Sequence, residues 1–189
     1  FDNLDALSAG VATIASLFFF VIAAYRGQYF VALLAGSLCG ASAGFLVFNW
    51  PPASIFMGDS GSHFLGYMLG ILGATTTFYV HGETPTVAPV LIPLVVLALP
   101  IFDTFAVVLI RLRVGQPVYV GDHRHISHRF ENLGLSRRCA MLLVHLLGLA
   151  IGCGAVMLLW VPPAGVVIVF FQTAVILAFI TVLHAKGAR

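Results

Sequence analysis

Residues Leu7–Tyr25 read LSAGVATIASLFFFVIAAY, a run without a single Lys, Arg, Asp or Glu. A bilayer core of about 30 Å is crossed by roughly 20 apolar residues in a helix. This run therefore predicts a membrane-spanning helix, and the rest of the chain repeats the pattern. Apolar segments follow at Tyr29–Phe48, Phe64–Val80, Val87–Ile110, Cys139–Trp160 and Val166–Leu183. The expected fold class is all-α: a polytopic membrane helical bundle of about six transmembrane helices, forming one integral-membrane domain over residues 1–189. Connectors as short as Arg26–Gln28 and Val161–Gly165 make neighbouring helices antiparallel.

Composition supports the same reading. The chain is 8% charged and 60% hydrophobic, with a mean hydropathy of +1.05. Soluble chains carry roughly 25% charged residues, so lipid rather than water must cover most of this surface. The net charge of +2 says little by itself. Cys39, Cys139 and Cys153 lie far apart, lack metal-ligand spacing and read as small core residues. The chain opens on FDNLDALSAG, with no Met and no basic signal region. That start reads as the continuation of a longer chain.

Six crossings place the N-terminus, the segments 49–63 and 111–138 and the C-terminus on one side. That side holds every basic residue except Arg26, so the positive-inside rule makes it cytoplasmic. Tyr25, Tyr29, Tyr79 and Trp160 mark the opposite interface. Asp2, Asp5, Asp59, Asp122 and Glu131 also fall on the cytoplasmic side, and only Glu83 lies outside. The chemistry is concentrated at one face.

Four clusters occupy that face. In FDNLDALSAG, Asp2 and Asp5 share a side if the segment is helical. Two carboxylates there suit a divalent cation or acid–base work; the alternative is a solvated helix start. In FMGDSGSHFLG (Phe56–Gly66), Gly58 and Gly61 bracket Asp59 and Ser60. Free amides at a helix start hold phosphate oxygens, and an aspartate holds Mg²⁺; the alternative is Asp59 or Ser60 as a simple N-cap. In PIFDT (Pro100–Thr104), Asp103 lies about 10 Å from the end of its span, and Pro100 is expected to kink the helix. An ionisable residue inside a span marks a site or a buried pair with a neighbouring helix. In GDHRHISHR (Gly121–Arg129), His123, His125 and His128 alternate with arginines. That pattern suits an anionic phosphate better than zinc, because no HExxH helix accompanies it. His145 and His184 stand alone and read as structural, while His63 adjoins the second cluster with its role open.

These clusters, in this order, resemble the polyprenyl-phosphate N-acetylhexosamine-1-phosphate transferases over nearly the whole chain. FDNLDALSAG is similar to the family's LDNMDGLAAG. FNWPPASIFMGDSGSHFLG (Phe48–Gly66) is similar to FNxPPAxIFMGDSGSxFLG. PIFDT coincides, and DHRHISHRFENLGLSRRCA (Asp122–Ala140) is similar to DRxHLHHRLxxLGLSxRxA. The resemblance implies transfer of a sugar-1-phosphate from a UDP-N-acetylhexosamine to undecaprenyl or another polyprenyl phosphate, with release of UMP. It places this at the cytoplasmic face of a bacterial plasma membrane, at the start of cell-envelope polysaccharide synthesis. It implies Mg²⁺, with Mn²⁺ as a substitute, and Asp59 as its ligand. Asp2, Asp5 and Asp59 would be catalytic; Asn3, Ser60, Gly61, Asp103, His125, His128 and Arg129 would bind substrate. A homodimer is compatible with it, and nucleic acid is not a partner.

The sequence departs from the pattern at Ala6, where the family has glycine, and at Ser127, where it has histidine. The family's adjacent aspartates, normally well upstream, are not in this stretch. The rival readings are an inactive membrane remnant of the same family, a transporter and an intramembrane zinc protease. A transporter needs ionisable residues at mid-bilayer on several helices; only Asp103 and His145 qualify.

Overall fold

A computed structural model of the chain describes residues 5–115 and 136–186. Among them the fold is helical throughout: α1 Leu7–Tyr25, α2 Tyr29–Asn49, α3 Gly58–Thr75, a single 3₁₀ turn Ala88–Leu91 leading into α4 Ile92–Val96, α5 Ala98–Val114, α6 Arg137–Met157 and α7 Pro163–Lys186. The protein is a helical membrane protein.

α1 is the axis of the bundle. Its buried residues include Ala9, Gly10, Ala12, Ala15 and Ser16 on the small side and Phe18, Phe19 and Ile22 on the large side. Lipid offers apolar helices no hydrophobic incentive to associate, so close backbone approach through small residues must supply the packing. Ala32 and Ala35 of α2 are buried in the same way, whereas Tyr29, Phe30, Leu33, Val47 and Phe48 are exposed. α7 carries exposed apolar residues at Val167, Ile168, Phe171, Val175, Phe179 and Val182 and lies at the periphery. Cys139 and Cys153, expected in the core, are exposed. A lipid-facing surface asks for the same small apolar residues that a core does.

Four helices, α1, α2, α6 and α7, are long and apolar enough to cross a membrane; α4 and α5 make a fifth span if taken together. The expected six is one too many by this measure, and the missing span is the third. Its helix begins at Gly58 rather than Phe64, so its first two turns contain Asp59, Ser60, Ser62 and His63. Its ends nevertheless reach both ends of α1. Near its start the Asp5 carboxylate accepts the Ala53 N–H at 3.2 Å. Just past its C-terminus, Gln28 exchanges two hydrogen bonds with Thr77, at 2.9 and 2.8 Å.

The kink expected at Pro100 falls at Leu97, where α4 and α5 meet at 64°. A proline lacks the N–H for the carbonyl four residues back and its ring clashes there. For Pro100 that carbonyl belongs to Val96, the last residue of α4.

The two ends of the bundle differ in chemistry. One is closed by Tyr25 and Trp160, hydrogen-bonded at 2.8 Å with rings 4.9 Å apart, and by Arg26 donating to the Phe78 carbonyl and pairing with Glu83. The other gathers Asp5, Asn49, Asp59 and Arg138.

Candidate functional site

The site end is built around the start of α1. Ala6 precedes the helix with φ +66°, a left-handed conformation that costs a non-glycine residue roughly 1–2 kcal/mol. Side chains from two other helices hold it. The Asn49 Oδ1, at the end of α2, accepts the Ala6 N–H at 2.8 Å, and the Asn49 Nδ2 donates to the Ile55 carbonyl at 2.8 Å. The His145 Nε2, in α6, donates to the Ala6 carbonyl at 3.1 Å. That carbonyl also takes the first helical bond, from the Gly10 N–H.

Asp5 is half-buried beside this clamp, tied through one oxygen to Ala53. The 50–57 connection is anchored from α6 as well, where the Arg138 Nε donates to the Pro51 carbonyl at 2.9 Å. Ser136 caps α6, its hydroxyl accepting the Cys139 N–H at 3.3 Å. The LGLS motif thus marks a helix start.

α3 begins at Gly58, whose φ of +66° suits glycine. Asp59 and Ser60 do not cap the helix: the N-cap is Met57, with no side-chain cap bond. Asp59 instead stands exposed inside the first turn, where the helix dipole favours a negative charge. Its backbone carbonyl receives the Ser62 hydroxyl and the His63 Nδ1. Ser60 is exposed beside it, and Gly61 lets Met57 pack directly on the turn.

Below these residues lies a cavity of about 460 Å³ between α1, α3 and α5. Ser8, Ser62 and His63 give it a polar part; Val11, Leu65, Leu69 and Pro100 give it an apolar one. Asp5 and Asp59 each stand three residues before a serine of this lining. Asp103 is fully buried in α5 and does not line the cavity; both it and the buried Arg111 are engaged with partners.

Asp5 stands just before α1, and Asp59, Ser60 and Gly61 lie in the first turn of α3; the residues of these two segments that meet at the cavity are Ser8, Ser62 and His63. Asp2, Asn3, His125, His128 and Arg129 lie outside the described residues. Asn49 is the residue sequence reasoning passed over; His145 it read as structural, with no partner named. Asn49 stood inside the quoted FNWPPA stretch, but His145 had no local signal.

The fold and site are those of a helical membrane protein with a mostly apolar cavity, whose polar residues Ser8 and Ser62 each follow an aspartate, Asp5 or Asp59, by about one helical turn. A model of glycosyl transferase family 4 matches residues 1–77, the part that contains α1, α2 and α3. The chain is 36% identical over 157 residues to a probable undecaprenyl-phosphate N-acetylglucosaminyl 1-phosphate transferase of Bacillus subtilis, covering 83% of this chain and 43% of that protein. It is 30% identical over 197 residues to the decaprenyl-phosphate N-acetylglucosaminephosphotransferase of Mycolicibacterium smegmatis, covering 96% and 48%. A phospho-N-acetylmuramoyl-pentapeptide-transferase of Caldanaerobacter subterraneus is 41% identical over 90 residues, covering 48% and 27%. No solved structure matches the chain significantly. The chain is thus similar to glycosyl transferase family 4 over residues 1–77, the part that carries FDNLDALSAG and FMGDSGSHFLG, and to these transferases over most of its own length. It spans less than half the length of the first two relatives.

Proposed function

We propose that the protein transfers an N-acetylhexosamine-1-phosphate from a UDP-sugar to a polyprenyl phosphate, releasing UMP, at the cytoplasmic face of a bacterial plasma membrane. The observation that carries this reading is the cavity between α1, α3 and α5, polar at Ser8, Ser62 and His63 and apolar at Val11, Leu65 and Leu69. A phosphate on an isoprenoid tail has the same two-part character. Its tail stays in lipid while its head meets a water-soluble nucleotide beside Asp5 and Asp59. The names of the Bacillus and Mycolicibacterium relatives, which specify undecaprenyl and decaprenyl phosphate, support the acceptor class. Arg138, bonded to the Pro51 carbonyl, and its neighbour Arg137 fall at the site end, which supports a cytoplasmic orientation for it.

The residues present fit Mg²⁺. No group of three or more His, Cys, Asp or Glu side chains gathers among the described residues. Mg²⁺ asks for less, being held by one or two carboxylates together with substrate phosphates and waters. Asp59, exposed and free of a capping role, would hold it. Bound there, the ion supplies neutralisation of the diphosphate charge.

This chain's own groups do the remaining work. Phosphoryl transfer asks for positioning and charge stabilisation more than for covalent chemistry. The amides at the start of α3 hold phosphate oxygens. Ser8 and Ser62 offer hydroxyl donors at the polar part of the cavity. Asp5, fixed to Ala53, orients the acceptor head or takes its proton. His125, His128 and Arg129 enter this reading through their sequence alone, as donors to the nucleotide phosphates.

The test is an assay of the complete protein with a panel of UDP-sugars and undecaprenyl phosphate, with and without Mg²⁺. Release of UMP that depends on both Mg²⁺ and the lipid is expected. No release with any UDP-sugar overturns the reading.

A further inference from the structure

His145 is a polar residue in the middle of LLVHLLG, on a helix that crosses the membrane, and it is only 9% exposed. Burying an imidazole costs free energy that an aliphatic side chain at this position would avoid. Nor is the bond needed to satisfy a buried carbonyl: the Ala6 oxygen already receives the Gly10 N–H, and His145 donates to its second lone pair. What the bond does achieve is geometric. Ala6 is the residue directly after Asp5, and the two peptide groups that flank its Cα are each gripped, the Asp5–Ala6 N–H by Asn49 and the Ala6–Leu7 carbonyl by His145. The grip holds a left-handed φ that the chain would otherwise leave.

The surroundings are shaped to this imidazole. A Cβ at Gly10 would collide with its ring, so Gly10 leaves the space the ring fills. The Trp50 ring lies 6.0 Å away, centroid to centroid, at the start of the connection whose Ala53 N–H binds Asp5. α6 thus reaches the acidic segment from a distance of 139 residues in sequence.

We propose that His145 is a positioning residue: through the Ala6 carbonyl it fixes the direction in which Asp5 is presented for phosphoryl transfer. It does so without touching substrate. The proposal rests on the transferase reading for the reaction that it serves.

The complete protein in detergent, with His145→Phe and His145→Gln variants, provides the test. Phenylalanine keeps a ring and loses the donor; glutamine places an amide N–H near the Nε2 position. Two readouts are taken: UMP-release kinetics and amide hydrogen exchange over residues 5–10. In His145→Phe, kcat is expected to fall about 10- to 100-fold with KM within about twofold, because small misplacements of a reacting group act on the chemical step. Exchange over the segment is expected to rise about tenfold, the loss of one buried hydrogen bond. His145→Gln is expected to restore both to within about threefold of wild type. A His145→Phe protein with wild-type kcat and exchange overturns the proposal, and so does a glutamine variant as impaired as the phenylalanine one. If the wild type turns over no UDP-sugar, the transferase reading falls. The exchange readout then decides the clamp alone: faster exchange supports it and unchanged exchange overturns it.

Discussion

Asn49 and Ala6, 43 residues apart, are joined by a 2.8 Å hydrogen bond, and the same Asn49 side chain holds the Ile55 carbonyl at 2.8 Å. One buried amide thereby ties the start of α1 and the 50–57 connection to the end of α2. Asn49→Leu strips both partners at once and leaves a buried N–H and a carbonyl unpaired. The expected cost is about 1–3 kcal/mol, carried by the buried Ala6 N–H, because water reaches the carbonyl of the exposed Ile55. Chemical denaturation of the purified protein in detergent measures it, and a loss below about 1 kcal/mol would show that water replaces the amide.

Ala6 separates two effects that usually travel together. Ala6→Gly relieves the left-handed strain by about 1 kcal/mol but removes a fully buried methyl worth about 0.8 kcal/mol. The expected net change is within about 1 kcal/mol of zero. Ala6→Val adds both strain and volume, and should cost about 3 kcal/mol. Thermal unfolding of the pair checks this; equal effects would remove the strain argument.

Asp59 is exposed, so Asp59→Asn should alter stability by less than about 0.5 kcal/mol. In the complete protein it should abolish Mg²⁺-dependent release of UMP while membrane insertion is unchanged. Normal turnover in this variant defeats Asp59 as the metal ligand.

Gly66 lines the cavity, and a Cβ built there meets no atom within 4 Å. A Cβ is therefore accommodated there, and Gly66→Leu adds bulk at the cavity wall. If the isoprenoid tail occupies this cavity, KM for the polyprenyl phosphate should rise about tenfold, the worth of about 1.4 kcal/mol of lost contact, with KM for the nucleotide sugar unchanged. A uniform loss for both substrates would place the tail elsewhere.

Much of this was legible along the chain. Tyr25 at the end of α1 and Tyr29 at the start of α2 fall where the apolar runs end and begin, because the RGQ connector interrupts the hydrophobic pattern sharply. The start of α3 was not legible. Apolar periodicity begins at Phe64, whereas the helix begins six residues earlier at Gly58, in a turn that hydrophobicity does not mark. Asp59 read as a cap or as a ligand, and a helix that starts one residue before it removes the cap. Pro100 announced a break but not its position, because a proline disturbs the carbonyl four residues back. His145 read as an isolated structural residue because its partner lies near the other end of the chain. Local pattern carries no record of such a pairing.

The polar opening of α3 has a consequence for biogenesis. A helix whose first two turns carry Asp59, Ser60, Ser62 and His63 gains little by entering lipid alone. α1 and α2 precede it in order of synthesis and already pack against each other through small residues. They offer the newcomer a docking wall at the moment it emerges, so the order of the motifs along the gene doubles as an assembly schedule.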